Sequence, residues 1–405
     1  TATMPDGDFT LKFEVEFTGT SQIPIVQVEE TSYNSLTSAL ANLKGGETVK
    51  LLQDIVWEEE LEFNQNDVTL DLNGKTLTLS AEAQSSDLSK TYVILVSGGS
   101  LTIKDTVGNG AISLNNGIIS GIRLTGTGTR LNFTSGTLKD LCSLGSAFSI
   151  SCDAVNGEVN FSGGVILGRV RMGAAGSTLI ISDSARLETR DYGMAVVAFP
   201  GTIKITGGSV IADEASSTGT EEGVFRIVEG AFDMTGGSIY CEGTAPAVRV
   251  VSSDGVTASI AGAAKIEAVN SSAVKISQSA GRVGMEKSSV TIDGDARLKG
   301  DTYALEIENA TFDQLPIINI KGGYFACNSS GLPISDTYFV TYLDAADTDI
   351  TPEKVLNLLK NGDSDGYVSL VDPDSLRGTY TPSEGTGIDQ TLEYTYQDFE
   401  GASDG

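Results

Sequence analysis

Short stretches of alternating apolar and polar residues recur along most of this chain, each followed by a glycine-containing break and a second short apolar stretch. The clearest copies of this unit are residues 203–211, 232–240, 259–266, 290–298 and 318–325. A second phrase, in which apolar residues flank one polar residue, lies between these units at residues 224–227, 247–250, 273–276 and 304–307. Both phrases return after roughly 20 to 32 residues, and self-similarity at such a period indicates a solenoid.

Each repeat carries three short strand patterns and no segment of helical period, so a single repeat cannot bury its own apolar face. The repeats are therefore expected to stack into an all-β parallel β-helix of about ten coils. The glycines are expected at corners, where a backbone without Cβ can turn toward the next sheet.

The second phrase gives a strict test of this fold. Two residues are expected to face outward and be exposed, namely Arg249 and Lys275. The residues expected to form buried ladders on the same strands are Val248, Val250, Val274, Ile276, Leu305 and Ile307. A slip of one residue would exchange the two sets, because side chains alternate between the faces of a strand.

Both ends of the chain depart from the repeat. Residues 9–17 alternate strictly and predict a strand, and residues 32–44 carry leucines at helical spacing before Gly45 and Gly46. We predict that this helix caps the first coil. After Asn328, the sequence predicts a closing strand at 337–343, a short helix at 352–360, and strands with turns at 367–399. The predicted regions are a capping segment (1–48), the β-helix (49–330), and a C-terminal cap or the start of a following module (331–405).

One stretch near the N-terminus resembles a known family. The segment at 33–40 is followed by Gly-Glu-Thr-Val-Lys-Leu-Leu-Gln-Asp-Ile at 46–55 and by Thr-Leu-Asp-Leu-Asn-Gly-Lys-Thr-Leu at 69–77. This order is similar to that of bacterial cell-surface, adhesin-like proteins with a right-handed β-helix of the pectate-lyase type. The resemblance covers residues 33–330 as architecture and residues 45–79 as a specific motif. It implies a right-handed winding and a cell-surface or secreted location, while ligands differ widely among such proteins.

The composition narrows the range of partners and chemistries. The 405 residues carry a formal net charge of −28 and give a sequence pI of about 4.2, so nucleic acid and anionic membranes are not expected partners. No stretch approaches the roughly 18 apolar residues of a membrane-spanning helix. The absence of histidine from the sequence excludes histidine-based triads, general bases and metal ligands.

The four cysteines are interpreted mainly as small apolar residues of the core. Cys241 and Cys327 occupy equivalent places about three coils apart, a separation of ~14 Å along the stack. Because a disulfide requires Cα atoms within about 7 Å, we predict that these two are not bonded. Cys142 and Cys152 could meet across one coil, so a bond between them stays open.

The polar residue of the second phrase is expected to point outward and to form a column with its counterparts on other coils, about 4.8 Å apart. The candidate ligand-binding residues in this column are Arg123, Arg226, Arg249 and Lys275. The other expected members are Ser149, either Arg169 or Arg171, and Glu306. A basic stripe on an acidic protein predicts either pairing with neighbouring carboxylates or an anionic partner such as an acidic polysaccharide.

A polysaccharide lyase or hydrolase is the alternative function, and it rests on fold analogy. A hydrolase needs two carboxylates at a fixed separation, but the acidic pairs Asp213-Glu214 and Glu221-Glu222 are not repeated on neighbouring coils and are interpreted as a solvated loop. An arginine could serve as the base of a lyase. No catalytic residue is predicted, and a purely structural stalk is the third candidate.

A twelve-residue segment in the tail has the spacing of a calcium-binding loop. Residues 361–372 place oxygen-bearing side chains at positions 1, 3, 5 and 12 and a glycine at position 6, and residues 355–359 are expected to form the preceding helix. The candidate calcium ligands are Asn361, Asp363, Asp365, Tyr367 through its carbonyl, and Asp372. A plain turn is the favoured interpretation, because Asn-Gly and Asp-Gly steps are common turn formers.

Together these features predict a non-catalytic bacterial protein, secreted or on the cell surface, that acts as an adhesin or glycan-binding rod. A monomer that binds a polysaccharide or a surface glycoconjugate is expected.

Overall fold

A computed structural model describes most of the repeat region and small parts of the tail. The described residues are 23–79, 92–114, 120–140, 148–189, 195–212, 223–252, 255–278, 287–308, 316–328, 334, 359–361 and 368–370. The predicted strands at 9–17 and 337–343 and the acidic pairs at 213–214 and 221–222 lie outside these ranges.

The first elements are a hairpin, one helix and two strands: β1 (Val26–Val28), β2 (Thr31–Tyr33), α1 (Leu36–Ala41), β3 (Thr48–Leu51) and β4 (Ile55–Trp57). The helix is shorter than the predicted range 32–44, because residues 32 and 33 pair with β1 as part of β2. Ser35 has an extended backbone and its hydroxyl accepts a 3.4 Å hydrogen bond from the amide of Ser38, so it caps the N-terminus of α1. Leu36 is buried, and α1 contacts β1, β2 and the strand that follows β4.

Thirty strands then follow in groups of three. The first five groups are β5 (Leu61–Phe63), β6 (Val68–Asp71), β7 (Thr76–Leu79), β8 (Tyr92–Val96), β9 (Ser100–Lys104), β10 (Ala111–Leu114), β11 (Ser120–Leu124), β12 (Arg130–Phe133), β13 (Thr137–Asp140), β14 (Phe148–Cys152), β15 (Glu158–Phe161), β16 (Val165–Leu167), β17 (Val170–Met172), β18 (Thr178–Ile181) and β19 (Arg186–Thr189). The next five are β20 (Val196–Ala198), β21 (Gly201–Ile205), β22 (Ser209–Ala212), β23 (Phe225–Ile227), β24 (Gly230–Met234), β25 (Ser238–Cys241), β26 (Val248–Ser252), β27 (Val256–Ile260), β28 (Lys265–Ala268), β29 (Val274–Gln278), β30 (Ser289–Ile292), β31 (Arg297–Gly300), β32 (Leu305–Glu308), β33 (Ile317–Ile320) and β34 (Tyr324–Cys327). Two further strands lie in the tail, β35 (Leu359–Asn361) and β36 (Val368–Leu370).

Each strand from β3 to β31 pairs in parallel with the strand three positions later in the chain, which produces three long sheets. Sheet A runs β2-β1-β3-β6 and then through every third strand to β33, for thirteen strands. Sheet B also has thirteen strands, from β4 and β7 through β34 to β36 and β35, and sheet C has the ten strands from β5 to β32. Antiparallel pairing occurs at the ends, between β1 and its two neighbours and among β34, β36 and β35. The all-β solenoid expected from the repeats is thus observed.

The core lies between the three sheets and consists of ladders of inward side chains. All six residues predicted to form ladders in sheet C are buried, and Val248, Val274 and Leu305 pair in register on three successive strands. Aromatic residues enter the same core, where Phe133 and Phe161 on adjacent strands make an edge-to-face contact with ring centroids 5.7 Å apart. The period-two alternation of the sequence therefore predicted which side chains face the core.

Corners between sheets A and B use left-handed backbone conformations. Asn73 and Gly74 have φ of 51° and 72° in the turn between β6 and β7, and Gly237 has φ of 76° between β24 and β25. A Cβ on Gly237 would lie 2.4 Å from the carbonyl oxygen of Gly207 on the preceding coil. Glycine is needed there both for its dihedral angles and for the close approach of the coils.

The described part of the tail differs from the predicted helix at 352–360. Leu359 and Lys360 belong to β35, whose antiparallel backbone pairing with β36 replaces helical hydrogen bonding. Asn361 ends β35 and pairs in register with Val368. The other four candidate calcium ligands lie outside the described residues, so the calcium loop stays a prediction. Within the described ranges, the only helix is too short to cross a membrane.

Cys152 and Cys241 are buried, Cys327 is half-buried, and none of these three cysteines forms a disulfide. The prediction that Cys241 and Cys327 are unbonded is confirmed. Cys152 is not in a disulfide, and Cys142 lies outside the described residues. The two buried sulfurs contact backbone carbonyl oxygens of nearby turns, at 4.0 Å for Cys152 with Ala154 and 3.3 Å for Cys241 with Ala245.

We expect Cys152 and Cys241 to resist alkylation in the native protein and to react after denaturation. Burial raises the pKa of both thiols to about 11, so the reactive thiolate is almost absent at neutral pH. Site-resolved mass spectrometry after iodoacetamide treatment, with and without urea, measures this. Half-buried Cys327 is the internal comparison and should react faster; equal native rates at all three sites would contradict the described burial.

Candidate functional site

An outward-facing column runs along the middle of sheet C, as the sequence predicted. In register from β5 to β32 it contains Glu62, Leu95, Arg123, Ser151, Arg171, Val197, Arg226, Arg249, Lys275 and Glu306. The four candidate binding residues therefore share one column. The structure selects Arg171 over Arg169 and replaces Ser149 with Ser151; Ser149 and Arg169 are buried beside the column.

The first basic pair of the column is bridged by one carboxylate. Asp153 follows β14 and accepts from Arg123 through Oδ2 at 2.9 Å and from Arg171 through Oδ1 at 3.1 Å. The guanidinium of Arg123 also lies 5.5 Å from the ring centroid of Tyr92. The two ion pairs and the ring contact hold these side chains in place. Because the side chains are only half-buried, they also present hydrogen-bonding atoms to solvent.

Glu62, the first residue of the column, and Glu60 beside it lie close to Tyr92. Burial, followed by the Glu62 carboxylate, raises the pKa of Glu60 against the opposing effect of its hydrogen bond with Tyr92. Burial, followed by the Glu60 carboxylate, raises the pKa of Tyr92, while Arg123 acts to lower it. The phenol therefore stays protonated at neutral pH and is hydrogen-bonded to Glu60. Carboxylate acceptors and guanidinium groups on one face are the groups that bind sugar hydroxyls and acidic substituents.

The basic residue nearest the C-terminal end of the column is neutralised. Lys275 Nζ lies 3.2 Å from Glu306 Oε1 on the next strand and 3.1 Å from Glu308 Oε1. Lys275 is consequently half-buried rather than exposed as predicted. This pair of carboxylates removes most of the attraction that Lys275 could exert on an anionic ligand.

The prediction that Arg249 is exposed is wrong, because this residue is only 4% exposed. Its Nε donates a 2.9 Å hydrogen bond to the hydroxyl of Ser277 on the next strand. The chain also passes close to it at Gly223, where an added Cβ would lie 2.7 Å from Arg249 Cβ. Arg249 faces outward as the alternation requires, but it is covered and hydrogen-bonded.

Arg226 differs from the other basic residues of the column. It is half-buried, and its Nε is shielded from solvent and has no hydrogen-bond partner in the part of the chain that the structure describes. Its two neighbours in the column are half-buried Val197 and the covered Arg249. In an outward column next to it, Phe199 is 41% exposed. Phe199 is two residues beyond Val197, the column neighbour of Arg226, so an accessible aromatic side chain belongs to the adjoining outward column.

Sequence reasoning located the column but missed two of its neighbours. Asp153 lies just after β14 and Phe199 just after β20, one position beyond the strand pattern in each case. Each of them directly follows an inward residue of sheet C, Cys152 or Ala198. This shared position is the sequence signal that could have found them.

Comparisons of the chain with protein-family models, curated proteins and solved structures found no match. The class of protein is thus defined by the fold itself, an all-β solenoid of three long, mainly parallel sheets with a charged column along the outer face of sheet C.

Proposed function

We propose that this chain is a non-catalytic rod that binds an acidic glycan, and that it acts outside a bacterial cell as an adhesin or surface glycan-binding protein. The proposal includes a right-handed winding of about ten coils, with α1 and the β1–β2 hairpin capping one end and the strands of the tail capping the other. The location follows from the resemblance of residues 45–79 to adhesin-like proteins. The ligand class follows from the column on sheet C.

The observation that supports this function best is the unsatisfied Nε of Arg226. Buried polar groups are normally hydrogen-bonded, and leaving one unpaired costs roughly 1–3 kcal/mol. The other basic residues of the column have partners: Arg123 and Arg171 share Asp153, Lys275 has two glutamates, and Arg249 has Ser277. Arg226 as a whole is half-buried, so a carboxylate or sulfate of a glycan that binds its accessible part would give this guanidinium a partner, and the shielded Nε would be reached once the side chain turns toward the ligand.

The aromatic ring of Phe199 gives this site a surface suited to sugars. Aromatic side chains supply rigid apolar area, and combined with nearby polar groups they are typical of ligand sites. Phe199 is accessible and neighbours the Arg226 column, so the apolar face of a sugar ring could rest on it while an acidic substituent reaches the guanidinium. Val197 contributes further apolar surface between them.

We expect Arg226→Gln to weaken the binding of polygalacturonate about tenfold, because one charge-assisted hydrogen bond to the ligand is lost. Arg226→Met without ligand should be more stable than the parent by about 1 kcal/mol, because it removes the unsatisfied buried donor, whereas the amide of glutamine would place another polar atom at the same position. Binding is measured by calorimetry at about 0.01 M and 0.15 M salt, and stability by denaturant unfolding. The difference in binding should shrink at the higher salt.

The matched control is Arg130→Gln, which removes the same charge from an exposed position on sheet A. It should change neither binding nor stability appreciably. Neutral dextran tests for charge-independent binding and should bind neither protein. If Arg226→Gln binds polygalacturonate and dextran sulfate as tightly as the parent, the proposed site on sheet C is wrong.

A further inference from the structure

Asparagine followed by glycine occurs five times in this chain, and the structure describes three of these steps: Asn73-Gly74, Asn109-Gly110 and Asn156-Gly157. Such a step is prone to spontaneous deamidation, because glycine has no side chain to hinder attack by its own amide nitrogen. The glycine nitrogen bonds to Cγ of the asparagine, the bond from Cγ to Nδ2 breaks, and the amide proton leaves with ammonia. Water then opens the succinimide ring to aspartate or isoaspartate.

The glycine amide of each described step is held in a hydrogen bond. The amides of Gly74 and Gly110 donate to Oδ1 and Oδ2 of Asp105, each at 2.6 Å. The amide of Gly157 donates instead to the carbonyl oxygen of Ala154 at 2.9 Å. Attack on the asparagine requires the peptide plane to rotate toward Cγ, which breaks this hydrogen bond. The cost is greater where the acceptor is charged.

The three asparagines differ in how their side chains are held. All have left-handed backbones, with φ of 51°, 67° and 54° in chain order. Asn73 is half-buried and its Nδ2 donates a 2.8 Å hydrogen bond to the carbonyl oxygen of Leu51. Asn156 is exposed but lies against the next coil, where a Cβ on Gly176 would be 2.1 Å from its Oδ1. Asn109 is exposed and has no side-chain hydrogen bond with any described residue, so its protection depends on the following amide.

Deamidation would disturb the corner between sheets A and B, where successive coils touch. A Cβ on Gly74 would lie 3.0 Å from Val107 Cγ1 and 3.2 Å from the carbonyl oxygen of Gly108 on the next coil. Isoaspartate at Asn73 would lengthen the backbone in this confined space, because its side-chain carbon becomes part of the main chain. Either product would also add a negative charge close to the carboxylate of Asp105, and like charges repel.

We propose that Asn73 and Asn109 are latent deamidation sites that Asp105 keeps unmodified. Its carboxylate holds the amides of Gly74 and Gly110, and so protects the asparagine-glycine steps of two successive coils. Asn109 depends on it more strongly, because Asn73 is also held through its side chain. The inference is independent of glycan binding.

The test compares the parent with Asp105→Ala in mildly alkaline buffer, with peptide mass spectrometry to follow the loss of each asparagine over time. In the folded parent, all three steps should deamidate at least about tenfold more slowly than in the same protein unfolded in urea. In Asp105→Ala, the reaction at Asn109 should accelerate about tenfold, because a hydrogen bond to a charged acceptor is lost. The reaction at Asn73 should accelerate less, and that at Asn156 should be unchanged. The control is Asp233→Ala, which removes the same charge from an outward position of β24 and should deamidate like the parent.

Circular dichroism first verifies that each variant is folded. If Asp105→Ala is not, Asp105→Asn takes its place; it leaves one acceptor oxygen and should accelerate the reaction at Asn109 or Asn73 but not at Asn156. An unchanged rate at both steps overturns the inference, and a slower one would show that the carboxylate promotes the reaction as a base. Equal acceleration at Asn156 in a folded variant would mean that the whole solenoid has loosened, and this too overturns the inference. Equal rates in the native and the urea-unfolded parent would show that the described hydrogen bonds give no protection.

Discussion

Replacement of Phe133 by alanine should lower the free energy of unfolding by about 3–5 kcal/mol, the usual cost of truncating a buried phenylalanine. Phe133 lies on β12 in sheet A, is fully buried, and pairs in register with Phe161 on β15. The two rings meet edge to face at 77° between their planes, a geometry that adds to the energy of burial. Removing one ring would leave a cavity between coils whose backbones are fixed by parallel pairing on both sides.

Urea denaturation followed by circular dichroism measures the effect, with Phe199→Ala as the matched control. Phe199 has the same side chain but is partly exposed, so its truncation should cost less than about 1 kcal/mol. Because each coil contacts mainly its neighbours, hydrogen exchange should show the largest loss of protection in β9, β12 and β15. Equal destabilisation by the two substitutions would mean that Phe133 is not in the core as described.

The sequence predicted the sheets and the inward ladders because the information for them is local. Alternation at period two determines which face of a strand is apolar, and the repeat length determines which strands pair. The predicted start of the helix was wrong because a tertiary contact competes with it. Ser32 and Tyr33 lie in the segment with helical spacing, but they pair with β1. Local pattern gives no signal for such a competition between elements.

The candidate site was predicted in position but not in its electrostatics. The column on sheet C follows from register alone. The burial of Arg249 depends on the chain at Gly223 and on Ser277 of the next strand, and the bridging of two arginines depends on Asp153. These contacts come from turns and neighbouring coils with variable lengths, so no fixed spacing in the sequence encodes them. The contrast between satisfied Arg249 and unsatisfied Arg226 emerges only from the structure.

Asp105 is expected to be a main stabilising residue of the turns between sheets A and B. It follows β9, and its two carboxylate oxygens accept 2.6 Å hydrogen bonds from the amides of Gly74, on the preceding coil, and Gly110. Although burial raises the pKa of Asp105, hydrogen bonds from the amides of Gly74, Gly110, Gly108 and Val107 lower it below its ordinary value. One carboxylate thus ties the turn of one coil to that of the next.

We expect Asp105→Asn to lower the free energy of unfolding at pH 7 by about 3 kcal/mol, because a hydrogen bond to a charged acceptor contributes about 1.5–3 kcal/mol and the asparagine NH2 group cannot accept one. The folded-state pKa is depressed, so this stabilisation is fully present above the unfolded-state pKa of about 3.9 and is lost as the pH falls through the folded-state pKa. Urea unfolding of parent and variant should therefore differ by a constant amount from neutral pH down to about pH 5, and the difference should narrow below about pH 4. Asp233→Asn, on an outward position of β24, removes the same charge and should change stability little at any pH. A difference between parent and Asp105→Asn that persists undiminished at the lowest pH would show that the ionised carboxylate is not what holds these turns together.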